Sequence, residues 1–288
     1  MLCESRPIKA RRSRSEMGGL KAALYAIAQE AQPATVRQIY YQATAAGLIP
    51  KTEAAYKSIV VRLLTEMRKS GDLPFEWIAD NTRWMRKPTT HTGLHRMLWE
   101  SAQLYRRDLW ENQRAYVEIW LEKDALAGVL YDVTEEFDVP LMVCRGYSSI
   151  SFLKGAADTI GAVGKPAWLY YLGDHDPSGL NISATVERDL RRMAPGAEIH
   201  FERVAVTREQ IETLNLPTRP TKTTDSRSKG FIGESVELDS IHPEILRKMA
   251  RRLIERHIDQ GELHRLRVVE QQERETLSRI AEAMENFQ

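Results

Sequence analysis

Ala167-Trp168-Leu169-Tyr170-Tyr171-Leu172-Gly173-Asp174-His175-Asp176-Pro177-Ser178-Gly179 is the stretch on which the fold turns. Its first six residues are an unbroken apolar run, which reads as a buried strand. Gly173 closes the run and two acids follow it. Pro177-Ser178-Gly179 then turns the chain sharply, so that Asp176 would be held facing a cleft. Related runs lie at 116–121, ending at Glu122, at 140–144, and at 197–206. The first is followed by a helical pattern over 125–136, the second by Arg145-Gly146-Tyr147-Ser148 and a further helix. Apolar strands separated by helices predict an α/β arrangement with a parallel sheet, whose ligands sit at the carboxyl ends of the strands.

Upstream the pattern is helical. Helices are predicted over 20–31, stopping before Pro33; over 36–46, capped by Thr35 and ended by Gly47; and over 53–70, with Gly71 and Pro74 beyond. Tyr56, Ile59, Val60, Leu63, Leu64 and Met67 form an apolar stripe at helical spacing on the third, and Lys57, Arg62, Arg68 and Lys69 lie off it. An aromatic, basic segment follows, with Trp77, Arg83, Trp84, Arg86 and Lys87. Three short helices and such a segment look like a winged helix whose third helix is offered to the DNA major groove. A plain helical bundle with a solvated charged face is the alternative. The resulting division is a basic arm over 1–17, with Lys9, Arg11, Arg12 and Arg14; a winged-helix unit with a linking helix (93–111) over 18–112; the sheet over 113–216; and a loop with C-terminal helices over 217–288. Leu263, Leu266, Leu277, Ile280 and Met284 can pack on the body or on a second copy.

The 288 residues hold 41 Lys and Arg against 40 Asp and Glu, and this near balance hides an asymmetry. Residues 1–110 carry 18 basic and 10 acidic side chains, and residues 111–288 carry 23 and 30. A basic N-terminal part fits a polyanion; an acidic remainder fits a cation. Cys3 and Cys144 are too few for a disulfide framework or a four-thiolate zinc site. No apolar stretch approaches the roughly 20 residues of a membrane span, and the charged start lacks the apolar core of a secretory signal, so a cytoplasmic, nucleoid-associated protein is expected. Gly161-Ala162-Val163-Gly164-Lys165 is not a phosphate loop: its glycine spacing is wrong and Pro166 stands where Ser or Thr must bind magnesium.

Glu122, Asp174 and Asp176 fall at two strand ends. If those strands are neighbours, three carboxylates converge, and two unit charges about 4 Å apart repel by roughly 4 kcal/mol at an effective dielectric near 20. Such a cluster needs a cation or a large pKa rise, and all-oxygen donors suit Mg²⁺ or Mn²⁺. Helix capping is the competing role, most of all for Asp176. A phosphatase with an aspartyl nucleophile would use the Asp174–Asp176 pair but leaves Glu122 without a task. Tyr41 lies about 100° around its helix from the buried Tyr40, on the side of Arg37, which predicts an exposed tyrosine with an arginine one turn earlier. It is a candidate nucleophile or an amphipathic surface residue. Glu237-Leu238-Asp239 either caps the helix after Pro243 or stands behind the metal ligands.

Arg37-Gln38-Ile39-Tyr40-Tyr41, the strand ending in Glu122-Lys123, and Asp174-His175-Asp176-Pro177-Ser178-Gly179, in that order, resemble the A subunit of topoisomerase VI and the related meiotic double-strand-break protein. The resemblance covers roughly residues 20 to 216. It implies a winged helix followed by a Toprim domain with a Rossmann-like parallel sheet. It implies Tyr41 as the nucleophile on a DNA phosphodiester, Arg37 as the phosphate stabiliser, and Glu122, Asp174 and Asp176 as Mg²⁺ ligands, with Glu122 also catalytic. A homodimer is implied too, since in that family the tyrosine of one protomer meets the metal site of the other. His175 departs from the family, which usually has Gly there. The chain is also shorter than a full A subunit and carries no ATPase, so strand passage would need a separate ATPase subunit. A nuclease using metal-activated water and a non-catalytic DNA-binding protein remain open beside the cleavage enzyme.

Overall fold

The computed structural model describes residues 13–79, 88–220, 231 and 234–285. Three helices open it. α1 (Arg14–Ala31) starts six residues before its apolar pattern does, because Ser13 and Glu16 form a reciprocal cap: the Ser13 hydroxyl accepts from the Glu16 N–H at 3.2 Å and the Glu16 carboxylate from the Ser13 N–H at 2.6 Å. α2 (Val36–Ala45) begins at the predicted residue, with Thr35 and Gln38 capping in the same way. α3 is a continuous helix made of Glu53–Ala55, a π-helical Tyr56–Val61 and Arg62–Ser70, ended by Gly71 at φ 82°. Val60, Leu63, Leu64 and Met67 of its apolar stripe are buried against Leu24, Ala28 and Ile39. Ala34 pairs with Ile78, which brings the chain after α3 back beside the start of α2.

Arg83, Trp84, Arg86 and Lys87 of the expected wing lie outside the described residues, as do Lys9, Arg11 and Arg12 of the arm. α4 (Leu94–Leu104) ends seven residues earlier than predicted. The turn that follows has its own bonds: the Asp108 carboxylate accepts from the Trp110 N–H at 2.8 Å, and the Trp110 ring N–H donates to the Phe137 carbonyl at 2.7 Å.

The sheet forms where the apolar runs predict it: β1 (Tyr116–Leu121), β2 (Leu141–Val143), β3 (Ala167–Leu172) and β4 (Ile199–Ala205). All pairings are parallel and the spatial order is β2-β1-β3-β4. Between the strands run α5 (Ala127–Glu136), α6 (Ile150–Val163) and α7 (Pro177–Met193). The short α8 (Arg208–Thr213) follows β4, and α9 (Pro243–Glu255) and α10 (Gln260–Glu285) close the described chain. One face of the sheet packs with α5, α9 and the start of α10; the other packs with α6 and α7. Leu263 and Leu266 are buried in the first of these cores, while Ile280 is exposed. The fold is therefore α/β, with a parallel sheet followed by C-terminal helices. Among the described residues no helix is long and apolar enough to cross a membrane.

Because β1 and β3 are neighbours with Leu121 opposite Leu172, Glu122 and Gly173-Asp174 leave the sheet side by side. The order of strands reverses between these two, and such a switch point opens the crevice where ligands bind in parallel sheets.

Glu118, on β1, is a buried carboxyl that accepts from the Tyr116 hydroxyl and the Trp120 ring N–H, each at 2.7 Å. Burial pushes it up to about 7, above its ordinary 4.5. The folded state then holds a proton that the unfolded chain has released, so stability falls as pH rises from about 4.5 to 7, by on the order of 3 kcal/mol in total. Glu118→Gln keeps the shape and removes this loss. Thermal melts should show a smaller drop in Tm from pH 5 to pH 8 than the parent; an unchanged drop would refute the assignment.

Candidate functional site at the strand ends

The cleft at the switch point has a volume of about 650 Å³ and lies between α2, the start of α3 and the carboxyl ends of β1 and β3. Asp174 lines it, while Glu122 and Asp176 stand behind it at the strand ends, where two glycines make room. A Cβ on Gly173 would stand 2.4 Å from Glu122 Oε2, and one on Gly179 would stand 2.3 Å from the Asp174 carbonyl oxygen and 3.2 Å from Glu122 Oε2. Bare backbone at Gly173 leaves room for the Glu122 carboxylate, and at Gly179 it leaves room for the Asp174 carbonyl. Glu122 Oε2 accepts from the Asp174 N–H at 3.1 Å. Burial, followed by the nearby Asp174, pushes Glu122 up to about 7.

Asp174 is buried; its Oδ1 accepts from the Leu238 N–H at 2.8 Å and faces Lys123 Nζ at 3.0 Å. Asp176 caps α7, its Oδ1 accepting from the Gly179 N–H at 2.8 Å, and its Oδ2 lies 3.7 Å from Arg219. The capping role expected for Asp176 is thus met by one oxygen, and the other faces a guanidinium. Beneath these groups Arg203 Nη2 donates to the carbonyls of Gly173 and Asp174, at 3.0 and 2.5 Å. Arg203 carries no sequence signal, being one charged residue in a predicted strand.

The segment after β4 completes the site. Val236 and His175 exchange backbone hydrogen bonds of 2.8 and 3.0 Å, which lays 235–241 across the strand ends. Glu237 and Asp239 thereby enter the cleft while Leu238 goes into the core. The helix after Pro243 is capped by His242, so the capping role considered for Glu237-Leu238-Asp239 falls away. Lys123 Nζ sits among three carboxylates, 3.0 Å from Asp174, 2.7 Å from Asp239 and 3.5 Å from Glu237. Burial opposes its charge, but Asp239, Asp174 and Glu237 outweigh that and hold the ammonium beyond the usual lysine range. Glu237 is also bound by Arg37 at 3.3 Å and Arg219 at 2.6 Å. Burial again opposes the charge, and these cations keep its carboxyl below the ordinary value. His175 turns away from the cleft: it is buried, its ring lies 5.5 Å from that of Phe231, and burial lowers its pKa.

Tyr41 is not exposed, as its helical position predicts, but 4% exposed. Docking of α2 onto the Leu238–Ser240 turn, together with Tyr40, whose ring lies 5.2 Å away, and Lys51, 5.7 Å above the Tyr41 ring, covers it. Its hydroxyl reaches Glu237, and burial and that carboxylate hold the phenol well above its ordinary range. Arg37 is half-buried, stacks 4.6 Å over Tyr56 and contacts Glu237 and Glu53. Within one chain, therefore, Tyr41 and Arg37 meet Glu237 and Arg37 shares the cleft with Asp174, whereas the resemblance implies a tyrosine that meets the metal site of a second copy.

The basic residues of α3 are placed differently. Lys57 and Arg62 are exposed and pair with Glu53 at 3.8 Å and Glu66 at 2.7 Å, Lys69 is exposed, and Arg68 lines the cleft and lies 5.8 Å from the Phe75 ring. Among the described residues no three His, Cys, Asp or Glu side chains are gathered as a metal-holding group. The donor chemistry of Glu122, Asp174 and Asp176 nonetheless suits a hard dication. All three offer only carboxylate oxygens, and Glu122 is disfavoured as an anion first by burial and then by Asp174, a cost a cation would relieve.

Fold and site together define an α/β protein with an acid- and arginine-lined cleft at the switch point of a parallel sheet. Comparison with protein-family models and with curated proteins finds no match to this chain.

Proposed function

We propose that the chain binds double-stranded DNA and cleaves it with a divalent cation, in the manner of a topoisomerase VI A subunit. The observation that carries this reading is convergence: Arg37 lines the same cleft as the strand-end Asp174, and Arg37 and Tyr41 both meet Glu237, which stands 200 residues from Arg37 in the chain. Glu122, Asp174 and Asp176 would hold Mg²⁺ or Mn²⁺, which supplies charge neutralisation at the scissile phosphate. Arg37 orients the phosphate from the helix side of the cleft. Tyr41 Oη forms the bond to phosphorus as the bond to the 3′ oxygen breaks. The phenol proton passes to water or a carboxylate, and the 3′ oxygen takes a proton from water. Since Tyr41 starts buried and protonated, α2 must shift before it reaches a strand. Partners on this reading are DNA, a second copy of the chain and, for strand passage, a separate ATPase subunit.

The burial of Tyr41 favours a second reading, a Toprim nuclease that attacks with metal-activated water and uses Tyr41 for packing. Supercoiled plasmid with Mg²⁺ or Mn²⁺, denatured rapidly and probed for protein-linked DNA ends, decides between them. The expected result is a covalent adduct that Tyr41→Phe reduces by at least about 10³-fold, as loss of an essential nucleophile does, while DNA binding persists. Nicking that survives Tyr41→Phe and disappears in Asp174→Ala establishes the nuclease instead. Binding without cleavage under either metal leaves a DNA-binding protein.

A further inference from the structure

Glu237 holds an unusual position. Its side chain is 8% exposed yet borders an open cleft, and cations from three separate parts of the chain converge on it: Arg37 from α2, Lys123 from the end of β1 and Arg219 from the segment after α8. Arg37 and Lys123 approach Oε2 at 3.3 and 3.5 Å, and Arg219 donates to Oε1 at 2.6 Å. Two guanidinium groups and an ammonium around two anionic oxygens form a donor set suited to a phosphoryl group, whose oxygens arginine binds in the same fork geometry. A carboxylate in this setting is a smaller anion occupying a phosphate seat.

We propose that Glu237 is an internal competitor: it occupies a phosphodiester-binding seat formed by Arg37, Arg219 and Lys123, and must leave before a nucleic-acid phosphate enters. The seat is open to the cleft, so a strand can approach without unfolding the core. The charges facing it set how far the exchange goes. Asp174 and Asp239 remain with Lys123, Asp176 lies 3.7 Å from Arg219, and Glu53 lies 3.7 Å from Arg37. The two arginines therefore supply most of the attraction once Glu237 is neutral. The choice of a nucleic-acid phosphodiester as occupant rests on the proposed DNA reading; the competition itself does not, because it is measured as binding.

The test uses the full chain in EDTA, so that cleavage plays no part, with a fluorescein-labelled DNA duplex followed by anisotropy and inorganic phosphate followed by thermal shift. Glu237→Gln should bind the duplex about 10-fold more tightly than the parent, equivalent to about 1.4 kcal/mol, and should gain Tm with added phosphate where the parent gains less. Adding Arg219→Ala to Glu237→Gln should abolish both gains. Glu237→Asp, which keeps the charge but withdraws it by one methylene, should lie between parent and Gln and serves if the Gln variant does not fold. Equal or weaker duplex binding by folded Glu237→Gln overturns the proposal. A gain for phosphate with none for DNA overturns the assignment to a nucleic-acid strand. Neither result depends on the adduct assay, so a failure of the cleavage reading leaves this one standing, and the reverse holds as well.

Discussion

Lys123→Met is expected to destabilise the folded chain by about 3–5 kcal/mol at neutral pH, the usual result of removing one partner from a buried ionic cluster. The ammonium lies within 3.5 Å of Asp174, Glu237 and Asp239, all buried. Methionine fills much the same volume, so the loss is electrostatic and not a cavity effect. The sign with pH follows from the acids. Without Lys123 the folded-state pKa values of Asp174 and Glu237, both of which it lowers, rise, so the variant holds protons that its unfolded chain has released. Its deficit must therefore be largest above neutrality and shrink as pH falls toward the carboxylate range. Urea midpoints at pH 5 and pH 8 measure this. A deficit equal at the two pH values would mean that Lys123 contributes only packing.

Gly179→Ala is the second large effect. A Cβ there would lie 2.3 Å from the Asp174 carbonyl oxygen and 3.1 Å from its carbonyl carbon, both backbone atoms. That carbonyl cannot swing aside easily, because Arg203 donates to it at 2.5 Å and the Asp174 side chain is tied to the Leu238 N–H. The expected cost is about 3 kcal/mol, at the upper end of overpacking. Displacement of Asp174 should remove any metal-dependent activity with it. Gly155→Ala is the matched control. It lies within α6, a Cβ would meet nothing within 4 Å, and it should stabilise by up to about 1 kcal/mol through helix propensity. If Gly179→Ala melts at the parent temperature, the close approach of α7 to the strand end is not a requirement.

Both variants probe groups whose visibility in the sequence differs. Gly179 belongs to a turn that is read directly, and β1 and β3 occur over the residues their apolar runs mark, since both faces of each strand are covered. The start of α2 is as plain, because Thr35 and Gln38 place the cap within four residues. Boundaries slipped where a local side-chain bond overrode periodicity, as Ser13 and Glu16 did in lengthening α1 and Asp108 did beyond α4. Tyr41 is the instructive miss in the site. Its angle around α2 is legible in the sequence, but the side away from Tyr40 meets the Leu238–Ser240 turn and not solvent. Glu237 and Asp239 had one usable signal, acids alternating with the apolar Val236 and Leu238, which marks a segment with one face in a core.

By itself the sequence determined the strands, the helices between them and the acids at the strand ends, because burial on a sheet and capping of a helix act over a few neighbouring residues. Only the tertiary structure decided what those acids face. Arg37, Lys123, Arg219 and Glu237 stand up to 200 residues apart, and their meeting depends on how α2 packs against the segment after β4. That packing brings opposite charges together out of water, where their attraction is strong and each burial must be matched by a partner.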